Sequence, residues 1–412
     1  MDALLREHAD FIVRGSIGAV MPDTAVRRAL AGMTFPGRVF VLAVGKAAWR
    51  MARTAAETVS GNIDRGIVIT KYGHLQGPLK GFECFEAGHP VPDENSFRAT
   101  EAAVGMVSGL RAEDTVLFLL SGGGSALFEK PLVPPEEMRS VTGQLLACGA
   151  DITENNTIRK RLSAVKGGRF AQMCRPAKVF TVILSDVVGD REDMIASGPA
   201  CPDTSTREDA LRIIARYGLR LSGDALKLME VETPKALDNA RACIGGGVRE
   251  LCAAAEKACR QLGYEPLVLT DRLCCRARDA GSFLASILRT HENSGKSLAF
   301  IAGGEPVVDL TGHGLGGRAQ ELALAAAPGI SGIRGAAVFS FGSDGTDGPT
   351  DAAGGYVDGD TRACLTAQGV DIPAVLRDND AWHALEKTGG LIVTGPTGTN
   401  VNDLAVALLR RG

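Results

Sequence analysis

At 412 residues the chain exceeds what one hydrophobic core usually organises, so two domains are expected. Hydrophobic residues make up 45% and charged residues 23%, a soluble globular balance, and the net charge of −3 comes with no Lys/Arg cluster interleaved with aromatics, which argues against nucleic-acid binding. No apolar run reaches bilayer length, so no membrane partner is expected either. The opening stretch MDALLREHADFIVRGSIGAV carries acids and has no continuous apolar core, so it reads as an amphipathic helix and not a signal peptide. Ten cysteines include no C-x-x-C pair, and Cys252, Cys259 and Cys364 fall in helix-like patterns. Reduced thiols and a cytoplasmic location follow as expectations.

Along the chain, short apolar runs end in glycine or polar turns and lead into helical patterns: VFVLAVG before KAAWRMARTAAETV, TVLFLLSGGG before SALF, VFTVILS before DVVGD. That alternation predicts a parallel sheet covered by helices, an α/β domain with a doubly wound, Rossmann-like sheet. The polar stretch EVETPKALDN breaks the pattern, which places a boundary between domains 1–235 and 236–412. The second domain reads as α/β too: helix VRELCAAAEKACRQLG, strand EPLVLT, a helix ending near Arg289, strand LAFIAGG, a helix from Arg318 and strand AAVFSFG. Its end reads as LIVTG followed by a helix over NDLAVALLRR. VVDLT alternates apolar and polar residues, so it is expected to form a hairpin with LAFIA and to make the second sheet mixed.

Several loops carry groups suited to phosphate. Ser121-Gly122-Gly123-Gly124-Ser125 directly follows a buried strand, where successive glycines let N–H groups converge on an anion; a tight strand-to-helix turn is the plain alternative. Lys46 follows VFVLAVG at a helix start, and Arg318 follows Gly316 and Gly317 at another. The macrodipole opposes a cation there by about 0.3–1 kcal/mol, so a bound anion is a reason to keep one. Asp186, Asp190 and Asp193 follow one strand, and Asp344, Asp347 and Asp351 another; Mg²⁺ favours one or two such carboxylates with waters and phosphates. The loop TGPTGTNVND offers Thr397, Thr399, Asn400 and Asn402, the last also a candidate N-cap. Gly312, Gly314 and Gly317 match G-x-G-x-x-G, but the preceding VVDLT does not read as a buried parallel strand.

Together the segments VLAVGKAA, GHPVPDENS, LLSGGGSALFEKP, RKRLSAVKGGR, ILSDVVGD, GGEPVVDLTGHGLGGRAQE, GSDGTDGPTDAAG and TGPTGTNVNDL resemble the glycerate 2-kinase family, whose members carry a C-terminal MOFRL module. The resemblance implies ATP-dependent phosphorylation of the 2-hydroxyl of D-glycerate to 2-phosphoglycerate, in a cleft between a Rossmann-like domain and a MOFRL-bearing domain. Lys46 and Arg318 match the family's active-site lysine and arginine, and Ser121 to Ser125 its glycine-rich segment. On this reading Lys46 and Arg318 hold the transferring phosphoryl or the substrate carboxylate, and Asp186 orients the hydroxyl or binds Mg²⁺ with Asp190 and Asp344. Ser121 to Ser125, Gly316, Gly317, Thr397, Thr399 and Asn400 take the nucleotide phosphates. ATP and Mg²⁺ are the implied cofactors and a small hydroxy acid the implied partner, with room for a homodimer. Two positions depart from the family pattern: Ala319 replaces the usual Asn, and Gly246-Gly247 replace a polar pair, which leaves a related hydroxy acid open as substrate. An NAD(P)H-dependent hydroxypyruvate reductase and a non-catalytic sensor are the rival readings.

Overall fold

The computed structural model describes residues 1–59 and 63–411, and their contacts divide the chain into two units. One is Ala25–Gly245; the other joins Met1–Thr24 to Gly246–Gly412. The expected boundary after residue 235 thus lies inside the first of these units, and the N-terminal helix belongs to the second. The reason is its apolar stripe. Leu5, Ala9, Ile12, Val13 and Ile17, spaced three or four apart on the helix Ala3–Ala19, share a core with Val248, Leu251, Cys252 and Ala255. Asp2 caps that helix by accepting from the N–H groups of Leu4 and Leu5.

In the unit 25–245, strands β1 (Val39–Val44), β2 (Ile63–Lys71), β3 (Phe82–Ala87), β4 (Thr115–Leu120), β5 (Lys178–Leu184) and β6 (Ala240–Gly246) form one sheet in the order β3-β2-β1-β4-β5-β6. Pairings from β3 through β5 are parallel. Both faces are covered, which is why these strands read as continuous apolar strings: Phe40, Leu42 and Val44 of β1 enter one core, while Val39, Val41 and Ala43 enter the other. A separate helical cluster around Met138, Val141, Ile158, Ile213 and Met229 stands beside the sheet. The doubly wound expectation is met here.

The other unit carries β7 (Glu265–Leu273), β8 (Leu298–Gly304), β9 (Ala336–Gly342), β10 (Gly354–Asp358), β11 (Leu391–Ile392) and β12 (Asp403–Leu409), ordered β11-β10-β9-β12-β8-β7. This sheet is mixed, as expected, but for a different reason. The antiparallel pairings come from β12 against β8 and β9 and from β10 against β9 and β11, while β7 and β8 run parallel. The predicted VVDLT hairpin is absent: residues 305–311 run as irregular chain with a single parallel bridge between Val307 and Arg276. NDLAVALLRR is not a helix but the central strand β12, with Leu404, Val406 and Leu408 in one core and Ala405, Ala407 and Leu409 in the other. All ten cysteines are free thiols, and no helix among the described residues is long and apolar enough to cross a membrane.

Candidate active site

In the first sheet the strand order reverses between β1 and β4, and ligands of open α/β sheets bind beyond the carboxyl ends at such a point. The loops leaving these two ends are tied to each other. Lys46 donates its main-chain N–H to the carbonyl of Gly122 at 2.9 Å, and Ser121 Oγ accepts the N–H of Ala47 at 3.1 Å. Gly45, at φ 120°, has Ser121 where a side chain would stand. Lys46 therefore occupies the turn between β1 and the helix Ala48–Thr58, just outside the first helical turn.

The glycine triplet admits close neighbours. A Cβ on Gly122 would overlap the carboxylate of Asp186, one on Gly123 would come within 2.9 Å of the His89 ring, and one on Gly124 within 2.8 Å of Ala196. Asp186 from the loop after β5 and His89 from the loop after β3 are thereby brought onto the loop that adjoins Lys46. Burial lowers the pKa of His89, and the positive charges of Lys46, Lys71 and His74 lower it further, so the imidazole is held neutral. Sequence reasoning missed His89, although it lies in the GHPVPDENS segment.

Beneath this loop is a buried clamp. Lys166, with no exposed surface, donates from Nζ to the carbonyls of Ser125 at 2.9 Å, Phe128 at 3.0 Å and Ala196 at 3.4 Å. It thus ties the glycine-rich loop to the loop that follows β5. Its counter-ion is the equally buried Glu129, 3.6 Å away. Burial pulls the pKa of Lys166 down to about 8 against the opposing pull of Glu129. Ser125 and Ser197 hydroxyls meet at 3.2 Å, and Ser197 donates to Asn156 Oδ1 at 2.8 Å. Lys166 and Glu129 were not among the residues singled out from the sequence, since nothing in their spacing joins them.

In the loop after β5, Asp193 is engaged by Arg191 at 2.8 Å and Thr204 at 3.2 Å. Asp190 differs: its backbone is left-handed at φ 52°, and its Oδ1 is buried without a hydrogen-bond partner. Mg²⁺ seeks hard oxygen donors, and an orphaned buried carboxylate oxygen in the loop that also carries Asp186 fits it. No group of three His, Cys, Asp or Glu side chains gathers to hold a metal among the described residues, but a cation shared with phosphates needs only one or two. Asp344, the third residue expected to bind metal, lies in the other unit, where its Oδ1 accepts from Thr346 N at 3.0 Å.

That unit holds a second cluster, around the start of the helix Arg318–Ile330. Arg318 pairs with Glu305 at 2.7 Å and with Asp403 at 2.5 Å. Burial disfavours its charge, but Asp403 and Glu305 outweigh that and raise its pKa. Burial pushes Asp403 up to about 7, against the pull of Arg318 and with help from Asp347 and Glu305. Asp347 caps the helix: its two carboxylate oxygens accept the N–H groups of Ala319 at 3.1 Å and Gln320 at 2.8 Å. Burial raises its pKa to about 6 in spite of these bonds. The anion place at this helix start, expected at Gly316 and Gly317 for phosphate, is thus filled by the protein's own carboxylate.

A cavity of about 610 Å³ opens here, lined by Arg318, Glu321, Asp344, Asp347, Asn379, Gly316 and Gly317 on its polar side. The G-x-G-x-x-G glycines meet protein, not space for a pyrophosphate: side chains at Gly312 and Gly314 would run into the backbone of Asp378 and Asp380. Thr397 Oγ1 donates to Ser343 O at 2.7 Å and Thr399 Oγ1 to Val20 O at 2.9 Å, so both brace the chain, and Asn400 Oδ1 accepts from Asn402 N at 3.4 Å. Asn402 is left-handed at φ 70° and precedes β12, so it is no helix cap. Ala319 is fully buried and does not line the cavity. Gly247 is the extended residue at the start of the helix Val248–Gln261.

An open parallel sheet with a lysine and a glycine-rich loop at its reversal point, joined to a mixed-sheet unit, defines a two-unit α/β protein, and both units match known families. Residues 8–230 match the family described as a domain of unknown function (DUF4147), and residues 298–403 match the MOFRL family. The chain belongs to the glycerate 2-kinase family. It is 51% identical over 411 residues to the D-glycerate 2-kinase of Thermotoga maritima, covering 98% of each chain. It is 40% identical over 390 residues to the glycerate 2-kinase of Pyrococcus horikoshii, covering 90% of this chain and 88% of that one. Its fold is similar to the crystal structure of glycerate kinase from Thermotoga maritima, with a TM-score of 0.94 at 50% identity over 98% of this chain and 99% of that one.

Proposed function

We propose that the protein transfers the γ-phosphoryl group of ATP to the 2-hydroxyl of D-glycerate, with Mg²⁺, in the cytoplasm. The observation that carries this reading is the joined pair of loops at the reversal point of the first sheet. There Lys46, the glycine-rich loop, Asp186 and a neutral His89 converge at the carboxyl ends of β1 and β4. Phosphoryl transfer asks for positioning and charge neutralisation more than covalent chemistry. The Lys46 ammonium is suited to an anionic oxygen of the transferring group. Ser121 and Gly122 fix the turn that carries it. His89, held neutral, is suited to accept the proton that leaves the 2-hydroxyl as its oxygen attacks phosphorus.

Asp190 and Asp186 are the residues that would hold Mg²⁺, which when bound neutralises phosphate charge. Arg318, fixed by Glu305 and Asp403, keeps a guanidinium at the cavity of the second unit. The reductase reading loses its footing, because a dinucleotide fingerprint needs glycines that open onto a ligand after a buried parallel strand. One experiment tests the proposal: ADP release with D-glycerate and ATP·Mg, beside NAD(P)H oxidation with hydroxypyruvate. ADP release coupled to a product that an enolase dehydrates directly supports the kinase and the 2-position. Hydroxypyruvate-dependent oxidation without ADP release would sink it.

A further inference from the structure

We propose that the cavity at the start of the Arg318 helix takes the nucleoside end of the phosphoryl donor, with the purine ring against Val307, Val308 and Leu310. The inference rests on the kinase reading above and assigns one part of one substrate to one place.

Three observations carry it. The first is the wall. The irregular segment after β8 presents Val307, 51% exposed, and Leu310, 84% exposed, with the half-buried Val308 between them. The backbone of this segment is fixed: Val307 N donates to Cys275 O at 3.1 Å, and Asn379 Oδ1 accepts the N–H groups of Thr311 at 2.8 Å and Gly312 at 2.9 Å. A rigid strip thus keeps apolar surface in water beside a cavity of about 610 Å³, within the roughly 300–1,000 Å³ of sites that enclose drug-sized ligands. D-glycerate has three carbons, each bearing oxygen, and no apolar face to cover that strip. Of the two reactants only the purine has one.

The second is charge. The lining also includes Asp344, Asp347 and Glu321, and Arg318 is already paired with Glu305 and Asp403. Arg278 answers Glu321 at 3.0 Å. Carboxylates outnumber cations here, which disfavours a free carboxylate substrate. Ribose hydroxyls, which donate, are suited to the same oxygens. The third is the helix start itself. Its N–H groups at Ala319 and Gln320 are taken by Asp347, so the place where an anionic group would dock is closed. What remains is a site for the uncharged end of the donor, with Arg318 at its margin.

Adenosine, which has the nucleoside and no phosphate, is the probe. Its binding to the full chain is measured by calorimetry, and its inhibition pattern is measured against ATP and against D-glycerate. Adenosine is expected to bind the wild type and to compete with ATP but not with D-glycerate. Leu310→Ala, at an exposed position where folding is not at stake, is expected to raise the KM for ATP at least about threefold and to leave the KM for D-glycerate unchanged. Val308→Trp, which fills the cavity, is expected to abolish adenosine binding, with melting measured alongside. The assignment is overturned if adenosine competes with D-glycerate, if adenosine does not bind, or if both variants bind it as the wild type does. Absence of ADP formation by the wild type would defeat the kinase reading alone, since adenosine binding lost in Val308→Trp still places the nucleoside here.

Discussion

Lys46 and Gly122 are bonded through the main chain, the N–H of one to the carbonyl of the other at 2.9 Å, so the lysine turn and the glycine-rich loop form one unit whatever the lysine side chain does. Lys46→Ala should therefore leave the melting temperature nearly unchanged. Turnover should fall at least about tenfold, ~1.4 kcal/mol of barrier. Steady-state ADP formation and thermal melting on the same preparation check both halves, and near wild-type turnover would refute the role.

His89 lies against the same loop. Exchanging it for Gln keeps the size and polarity of the ring but not its ability to accept a proton near neutrality. His89→Gln should lower kcat by at least about tenfold with less than about twofold change in the KM for ATP. A raised KM with unchanged kcat would assign His89 to binding and not to proton acceptance.

Arg318 behaves differently from Lys46, because its removal leaves Asp403 buried without its counter-charge. The folded chain holds Asp403 near 7 and Asp347 near 6, against ordinary values of 3.8. Below about pH 4 both groups are protonated, folded or unfolded. From there to about pH 7 the folded state holds protons the unfolded state has lost, so these two groups make stability fall as pH rises, and the cost is complete above 7. Asp403→Asn should shrink the loss of melting temperature between pH 5 and pH 8, and Arg318→Ala should enlarge it. Equal slopes in all three proteins would show that Asp403 does not titrate in this window.

The clamp under the glycine-rich loop separates stability from catalysis. Lys166→Met leaves the buried Glu129 with only Arg159, 3.9 Å away, as counter-charge, which should cost up to about 3–5 kcal/mol. The double change Lys166→Met, Glu129→Leu should recover most of that stability. It should not recover turnover, because the ammonium that ties the carbonyls of Ser125, Phe128 and Ala196 together is still missing. Denaturant unfolding beside kcat distinguishes this from a purely structural lysine, for which both would return together.

Asp190, with its orphaned Oδ1, should matter for the metal. Asp190→Asn is expected to raise the Mg²⁺ concentration needed for half-maximal rate by at least about threefold. Asp344→Asn tests the other unit in the same titration. Unchanged metal dependence in both would mean that nucleotide phosphates alone hold the cation.

Much of the first unit was legible in the sequence because its strands are buried on both faces and end at glycines: VFVLAV and TVLFLL are continuous apolar strings with their loops directly behind them. The same property misled at the end of the chain. LAVALL is equally continuous, and a buried central strand then looks like a buried helix, since neither shows its period. VVDLT alternates in sequence but runs as irregular chain, with Val307, Val308 and Leu310 all lining a cavity. The partners of Arg318 and of the helix start were hidden by distance along the chain: Asp347 caps a helix 28 residues before it. Short-range spacing carries no trace of such contacts.

The unit that contains Arg318 is assembled from the two ends of the chain, with 25–245 inserted between them, and β12 lies between β8 and β9 in its sheet. On the ribosome, therefore, the inserted unit has all its strands long before the other can close. Until residues 403–409 emerge, β8 and β9 each offer an unpaired edge, and the helix Ala3–Ala19 waits for the core it joins. A chain stopped near residue 402 would thus carry a finished Lys46 loop in one unit and an open, association-prone sheet in the other. Expression of the two halves divided at residue 235 would strand the first helix away from its partners. Circular permutation that joins the natural termini and opens the chain between 24 and 25 keeps each unit continuous, and it offers a way to make each one separately.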